Sequence, residues 1–355
     1  MNPPRTMRAL QLRKLGHLDE VELPVPSPGP GEVLIRTVAT TICTSDLTDI
    51  KHNPFGTELP RVLGHEGAGV VAAMGKGVRE FGIGDRVTAH PVIPCLKCES
   101  CRRGFGHLCD QMGHLAIDRD GTFAEYFAMP ARRVRRIPNG VDFAVAVLLE
   151  PVAVCLEAVR RGRVAEGETV LVVGDGPFGI MIARLALRQR PAQVVMVGRH
   201  EFRLSQACPE RSRRVPEVVT INEQRVGNVA AEVMKVTEGR GAEVAILAAA
   251  SAEGAQLCLQ VLRARGRLVI FSGLLDPVPL DLFRLHVKEL EILGACNDQD
   301  YLDEALACLS DPALKLDSLV THRIPFADWR RAVALASRGK DEALKVAIMF
   351  GEGSA

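Results

Sequence analysis

Four cysteines within a short stretch form the densest group of metal-ligating residues in the sequence. They are Cys95, Cys98, Cys101 and Cys109, with the spacing C-x2-C-x2-C-x7-C. Four thiolates can surround Zn²⁺ tetrahedrally, with Zn–S bonds of about 2.3 Å, and they leave no position open for water. The spacing therefore predicts a structural zinc. An iron–sulfur cluster, or thiols without a metal, would use the same residues and remain alternatives.

A second set of possible ligands lies in the segments Cys43-Thr-Ser45-Asp46 and Gly64-His65-Glu66. A thiolate, an imidazole and a carboxylate suit a catalytic zinc, which keeps one coordination position open. By themselves, a lone cysteine and a His-Glu pair are more typical of structural residues. Glu150 adds a carboxylate where a helix is expected to run toward a second domain, and this addition favours a metal site. With the four-cysteine group, the sequence predicts two zinc ions per chain.

A glycine-rich segment, Gly174-Asp-Gly176-Pro177-Phe178-Gly179, matches the pattern GxGxxG. It follows the aliphatic run Thr169–Val173 and precedes a helical pattern over Phe178–Arg190. In this context the glycines let the backbone approach a pyrophosphate, which lies at the positive end of the helix. We therefore expect Gly174, Gly176, Pro177, Phe178 and Gly179 to bind a dinucleotide.

The acid that usually holds the adenosine ribose is missing from its expected place. The next aliphatic run, Val194–Val197, ends in Gly198-Arg199-His200-Glu201. A glycine followed by arginine leaves room for a 2′-phosphate and offers a cation to it, with Arg203 as a second candidate. This pattern favours NADP over NAD. In the alternative, Arg199 is a solvated residue and Glu201 holds the ribose of NAD.

Composition limits the classes of protein and of partner. A chain of 355 residues suggests two domains, and its 44 basic and 43 acidic residues give a net charge of +1. A nucleic-acid or anionic-membrane binder usually carries a large basic excess, so neither partner is expected. The N-terminal segment lacks an uninterrupted apolar region, and no run reaches membrane-spanning length. We expect a cytoplasmic protein whose ten cysteines bind metal or stay reduced.

The pattern of apolar residues along the chain changes near Val141. Before it, short apolar runs separated by Pro- and Gly-rich turns predict a compact β-barrel or sandwich. After it, aliphatic runs alternate with helical patterns, and this alternation predicts a doubly wound parallel sheet. The expected strands are Thr169–Val173, Val194–Val197, Val218–Ile221, Val244–Ala248 and Arg267–Phe271, and another helix is expected over Ala255–Arg263.

In this order, the motifs resemble those of the zinc-dependent medium-chain dehydrogenase/reductase family, which includes alcohol, polyol and threonine dehydrogenases. The resemblance also covers Gly64-His-Glu-Gly-Ala-Gly-Val-Val71, Gly82-Ile-Gly-Asp-Arg-Val87 and Gly121-Thr-Phe-Ala-Glu-Tyr126. It implies an α/β chain with a GroES-like β-rich catalytic domain at 1–152, including a structural zinc lobe at about 90–112. A Rossmann domain would follow at 153–292, and 293–355 would rejoin the catalytic domain.

The resemblance also implies roles for individual residues. Cys43, His65 and either Glu66 or Glu150 would hold the catalytic zinc, and Asp46 would orient the imidazole. Zinc would lower the pKa of an alcohol, which would transfer a hydride to NAD or NADP while Ser45 passes the proton outward. Many relatives end this relay with a histidine at the position of Thr48, so the terminal acceptor is open; His52 is one candidate.

The surroundings of Glu150 are most similar to polyol and threonine dehydrogenases. The expected substrate is therefore a small secondary alcohol, polyol or hydroxy-amino acid, and relatives suggest a homotetramer or homodimer. A nucleoside deaminase is disfavoured because no histidine provides an H-x-E element. A zinc-containing nucleotide-binding protein without activity remains an alternative, as does a zinc-independent quinone-reductase-like enzyme. The basic segment 208–216 departs from the family and is interpreted as a solvated loop or as extra attraction for a cofactor phosphate.

Overall fold

A computed structural model describes residues 3–208, 218–338 and 342–351. The chain divides into two compact units. Unit 1 contains residues 1–153, 299–312 and 316–355, and unit 2 contains residues 154–298 and 313–315. Among the described helices, none combines the length and the apolar character that crossing a membrane requires. Most of the basic segment 208–216 lies outside the described residues.

The described chain contains the following strands: β1 (Thr6–Lys14), β2 (His17–Pro24), β3 (Glu32–Ile42), β4 (Arg61–Val62), β5 (Glu66–Met74), β6 (Arg86–Ala89), β7 (Val92–Ile93), β8 (Gly113–His114), β9 (Tyr126–Pro130), β10 (Val134–Arg136), β11 (Thr169–Val173), β12 (Gln193–Gly198), β13 (Val218–Asn222), β14 (Ala242–Leu247), β15 (Leu262–Ile270), β16 (Glu291–Gly294), β17 (Val320–Pro325) and β18 (Lys345–Met349). The helices are α1 (Thr44–His52), α2 (Glu99–Arg102), α3 (Phe143–Ala146), α4 (Leu149–Arg161), α5 (Pro177–Leu187), α6 (Glu201–Ser205), α7 (Val229–Val236), α8 (Ala252–Val261), α9 (Leu282–Val287), α10 (Leu302–Leu309) and α11 (Trp329–Arg338).

Unit 1 is built around the long strand β3. Its main sheet has the order β10-β6-β5-β3-β18-β17, and β9 also pairs with β3. The unit also contains a three-stranded sheet with the strand order β2-β1-β4. Side chains such as Val33, Ile35 and Val87 are fully buried in one core of this unit. Strand β18 runs antiparallel to β3, so residues 346–349 lie next to residues 39–42.

Unit 2 is a doubly wound α/β sheet. Its six strands are all parallel, in the order β13-β12-β11-β14-β15-β16. Strands β12 and β13 follow on one side of β11, and β14, β15 and β16 follow on the other. The strand order therefore reverses between β11 and β14, at their carboxyl ends. The α/β fold class with a parallel doubly wound sheet, predicted from the sequence, is confirmed.

The boundary between α8 and β15 differs from the sequence prediction. The helical pattern was expected to continue through Arg263, but α8 ends at Val261 and β15 begins at Leu262. The pairing of β14 with β15 is irregular between Ala242 and Val244. Leu262 is buried while the next three residues are exposed, so this part of β15 lacks the alternation that sequence reasoning uses to recognise a strand.

Candidate active site and nucleotide-binding site

Cys43 lies where β3 gives way to α1. It is the N-cap residue of that helix, with an extended backbone, and it is buried. Asp46, three residues further on, accepts a hydrogen bond from the Cys43 backbone N–H at 2.8 Å through Oδ2. This reciprocal capping fixes the direction in which the helix starts and therefore the position of the thiol.

His65 is fixed by the same carboxylate. Asp46 Oδ1 lies 3.3 Å from His65 Nδ1 and also accepts a hydrogen bond from the Gly64 backbone N–H at 3.2 Å. Gly64 has φ +87°, and a Cβ there would collide with the Phe123 ring at 2.2 Å. Only glycine fits this turn, and the turn places His65 immediately before β5. One buried carboxylate thus ties the cysteine segment to the histidine segment.

The structure brings Cys43, His65 and Glu66 together. A ligand atom from each lies within 4.8 Å of the others, and all three residues are buried. Their thiol, imidazole and carboxylate form a donor set that suits Zn²⁺. Glu150 does not belong to this group, although its charge interacts with the neighbouring Lys345.

Lys345 was not recognised in the sequence, although it contacts a predicted ligand. Its ammonium is buried and donates a hydrogen bond to Glu66 Oε1, while the Thr41 hydroxyl donates one to Oε2. Burial acts to lower the pKa of Lys345, but Glu66, Cys43 and Glu150 raise it above its usual value. The lysine therefore stays charged and compensates the acidic groups around it.

The charge of His65 responds to two opposing effects. Burial acts to lower its pKa, but the Asp46 carboxylate and Cys43 raise it well above the usual value. The ring of His114 lies 5.9 Å from that of His65. Burial, followed by the effect of His65, lowers the pKa of His114 to about 4. His114 is therefore a neutral imidazole beside the proposed ligands. No motif in the sequence identifies it.

The expected proton relay begins at Ser45, in the first turn of α1, which is half-buried. Thr48 donates its hydroxyl hydrogen bond to the Thr44 backbone carbonyl at 2.9 Å, one turn back along the helix. His52 is exposed at the end of α1. The buried Asp49 of the same helix has its pKa raised to about 6 by burial and by Asp46. Thr48 therefore bonds within its own helix and does not replace the histidine that was expected at the end of the relay.

The four cysteines of the predicted zinc lobe also converge. All four sulfur atoms lie within 4.8 Å of one another, and Cys98 Sγ lies 3.8 Å from Cys109 Sγ. Four ligands about 2.3 Å from a tetrahedral zinc would be separated by about 3.8 Å, so the group fits the metal. Backbone N–H groups point at the sulfurs, and the hydrogen bond from Lys97 is the main reason that the pKa of Cys95 is lowered to about 6. A lowered pKa favours the thiolate form that binds metal, whereas burial and contacts with the Cys98 and Cys109 sulfurs raise the pKa of Cys101 to about 12.

Unit 2 contains a cavity of about 730 Å³ at the carboxyl ends of its central strands. Gly174 and Arg199 line it. A Cβ on Gly174 or Gly179 would collide with backbone atoms, at 2.8 Å and 2.0 Å, whereas one on Gly176 would meet nothing within 4 Å. The space over Gly176 lets a ligand approach the backbone at the start of α5. Pro177 and Phe178 lie in the first turn of that helix.

The residues predicted to distinguish NAD from NADP are not all at the cavity. Arg199 lines it, whereas Arg203 lies on α6 and does not. Glu201 accepts a hydrogen bond from Asn222 at 2.6 Å and pairs with Arg225 at 3.0 Å. Two acidic residues that the sequence analysis did not assign, Asp175 and Glu223, line the cavity next to Arg199.

Comparisons with known proteins agree with this combination of fold and site. The family model of the alcohol dehydrogenase GroES-like domain matches residues 29–139, and that of the zinc-binding dehydrogenase matches residues 177–311. A sorbitol dehydrogenase of Bacillus subtilis is 30% identical over 351 residues, covering 97% of this chain and 98% of the relative. An L-threonine 3-dehydrogenase of Pyrococcus horikoshii is 32% identical over 344 residues, covering 94% and 96%.

A solved structure gives the same result. A putative zinc-binding dehydrogenase from Sinorhizobium meliloti 1021, bound to NADP, superposes with a TM-score of 0.89 at 27% identity and covers 97% of this chain and 99% of its own. The chain belongs to the zinc-dependent medium-chain dehydrogenase family, as the motifs indicated. It is an oxidoreductase that uses zinc and a nicotinamide cofactor.

Proposed function

We propose that this protein oxidises a small secondary alcohol, polyol or hydroxy-amino acid, and that it carries out the reaction at a zinc held by Cys43, His65 and Glu66. The observation that carries the proposal is the convergence of these three buried ligands around Asp46. The sorbitol and L-threonine dehydrogenases among its relatives support the substrate class. A zinc-independent reductase would have no need of this donor set.

The residues around the metal have separate tasks. A zinc held by Cys43, His65 and Glu66 would supply a Lewis acid that lowers the pKa of a substrate hydroxyl, and a bound nicotinamide would supply the hydride acceptor. Asp46 holds His65 by its Nδ1 and so leaves the other ring nitrogen for the metal. Ser45, at the half-buried start of α1, passes the hydroxyl proton outward. Lys345 balances the negative charge of Glu66, and Glu150 is the alternative carboxylate ligand.

We also propose a second, structural zinc bound by Cys95, Cys98, Cys101 and Cys109, which gives two zinc ions per chain. For the cofactor we propose NADP in preference to NAD, bound along Gly174, Gly176, Pro177, Phe178 and Gly179. Gly198 and the Arg199 guanidinium at the cavity support this preference. Arg203 remains a more distant candidate for the phosphate. The location we propose is cytoplasmic, because the spacing of Cys95, Cys98, Cys101 and Cys109 favours metal binding over the disulfides that secreted proteins use.

The oligomeric state that we propose is a homotetramer or homodimer. Strand β16 ends the parallel sheet of unit 2 and is mostly exposed. Earlier in the chain, α9 and the loop before it expose large apolar side chains, including Leu275, Leu282 and Phe283. An open strand edge and exposed apolar side chains are both surfaces that a second copy of the chain can cover.

Replacement of Cys43 tests the catalytic assignment. Cys43→Ser removes the thiolate ligand, so we expect turnover to fall by at least about a thousandfold and zinc content to fall by one ion per chain. Binding of the reduced cofactor should change little. Cys296→Ser is the matched control, because Cys296 is exposed and belongs to neither cysteine group. Wild-type turnover in Cys43→Ser would contradict the proposal.

A further inference from the structure

The strongest unassigned feature is the acidic surrounding of Arg199. Among the described residues, those that line the unit 2 cavity include three acids, Asp175, Glu223 and Glu253, and one arginine or lysine, which is Arg199. A 2′-phosphate carries about two negative charges near neutral pH, as phosphate monoesters do. A subsite with this balance of charge attracts the phosphate less than a lone arginine would.

Asp175 sets the position of the Arg199 backbone. Its Oδ2 accepts hydrogen bonds from the backbone N–H groups of Arg199 and His200, each at 2.7 Å, and lies 3.0 Å from His200 Nδ1. A Cβ on residue 198 would lie 2.4 Å from Asp175 Cβ, so Asp175 occupies the space that a side chain at Gly198 would need. The carboxylate is almost fully buried, and the turn after β12 is therefore fixed.

From that fixed turn, Arg199 reaches Glu223. Arg199 Nε donates a hydrogen bond to Glu223 Oε1, and both residues line the cavity. Glu223 follows β13 directly, and its backbone N–H donates to the Gly198 carbonyl at 2.9 Å. Strands β12 and β13 therefore hold the two side chains in register. Within the described chain, Arg199 makes no other side-chain hydrogen bond.

We propose that Glu223 is a specificity-determining residue that competes with the cofactor 2′-phosphate for Arg199. This inference rests on the proposed nucleotide site and extends it. NADP binds only when Arg199 leaves Glu223, or when the 2′-phosphate binds beside the negatively charged Glu223 carboxylate. NAD has a 2′-hydroxyl and needs neither change. Glu223 therefore weakens NADP selectively, and the preference produced by Arg199 is smaller than its charge alone would give.

The test measures the dissociation constants of NADH and NADPH for the zinc-loaded, full-length protein. Glu223→Gln removes the charge and keeps the shape of the side chain. We expect it to tighten NADPH by about five- to tenfold and to change NADH by less than about twofold, because a neutral amide holds the Arg199 guanidinium less strongly and NADH has no 2′-phosphate for Arg199 to bind. If the ratio of the two constants is unchanged, or if both cofactors tighten equally, the inference is wrong.

Two control variants and one substitute variant separate the possible causes. Glu166→Gln removes the same charge from an exposed ion pair with Arg190 in the same unit, and it should leave the ratio unchanged. In an Arg199→Ala background, Glu223→Gln should lose most of its effect on NADPH, because the competition needs the guanidinium. If Glu223→Gln folds poorly, Glu223→Ala provides the same comparison.

The same experiment distinguishes this inference from the proposed function. Failure of the wild-type protein to bind either cofactor would overturn the nucleotide site itself. Binding of both cofactors, with no response to Glu223→Gln, would overturn only the role of Glu223.

Discussion

At the scale of single residues, the buried pair of Lys345 and Glu66 links the C-terminal strand to the proposed metal site. Both side chains are almost completely inaccessible, and Thr41 satisfies the second carboxylate oxygen. Burying two charges is costly, and the attraction between them offsets much of this cost. Removing one partner would leave the other charged and buried, which is far less favourable than losing both.

This arrangement predicts the effect of replacing the lysine. Lys345→Met should lower the free energy of unfolding by about 3 kcal/mol, because it leaves the buried Glu66 carboxylate without its ammonium partner. Thermal unfolding of the variant measures the loss. Adding Glu66→Gln to Lys345→Met should restore much of the stability. A single variant as stable as the wild type would show that the pair does not hold β18 in place.

Sequence reasoning identified the proposed ligands and Asp46, but not Lys345 or His114. Cys43, His65 and Glu66 stand in short segments with recognisable residue types, and Asp46 is close to Cys43 in the chain. Lys345 lies 279 positions from Glu66, and no local pattern connects the two. His114 is likewise brought beside His65 only by folding. Pairings of this kind depend on the register of distant strands, which one sequence does not contain.

At the scale of structural elements, the four-cysteine lobe is short and poor in regular structure. Between β7 and β8 it contains only the four-residue helix α2 and one turn of 3₁₀ helix. Cys98 is the N-cap of α2, and its sulfur accepts a hydrogen bond from the Cys101 backbone N–H at 3.4 Å. Because the lobe has so little regular structure, we expect the proposed metal to hold its four cysteines in place.

Loss of one ligand should therefore destabilise the protein more than it affects chemistry. Cys98→Ser should lower the unfolding temperature by at least about 5 °C and remove one zinc per chain. The remaining folded protein should keep most of its turnover at low temperature. Zinc analysis and calorimetry measure both effects. A variant that loses zinc but unfolds at the wild-type temperature would contradict the structural role.

The elements of unit 2 were predicted more accurately than those of unit 1. Strand β11 was predicted with its observed bounds, and β12, β13 and β14 within two residues, because buried parallel strands are continuous aliphatic runs. The start of β15 was predicted five residues too late, and the mostly exposed strand β16 was not predicted. The acids beside Arg199 were missed for a different reason. Asp175 and Glu223 belong to different loops, and only the parallel pairing of β11, β12 and β13 brings these loops together.

At the scale of the whole molecule, the exposed edge of unit 2 predicts self-association. Phe283 is 76% exposed on α9, which precedes the edge strand β16 in the chain. Phe283→Ser should shift the protein toward smaller assemblies in light scattering, because it removes apolar area from the proposed contact. Ile83→Ser provides a control in unit 1, where the isoleucine is 68% exposed. A wild-type protein that is monomeric at micromolar concentration would contradict the proposal.

The most direct test of the proposed function is the formation of reduced nicotinamide by the purified, zinc-loaded protein. NAD⁺ and NADP⁺ would be offered separately with secondary alcohols, diols, sugar alcohols and threonine. We predict turnover with at least one member of this panel, faster with NADP⁺ at low cofactor concentration and abolished by a chelator that removes the zinc. Absence of turnover across the panel, in protein that holds two zinc ions and binds cofactor, would contradict the proposed substrate class.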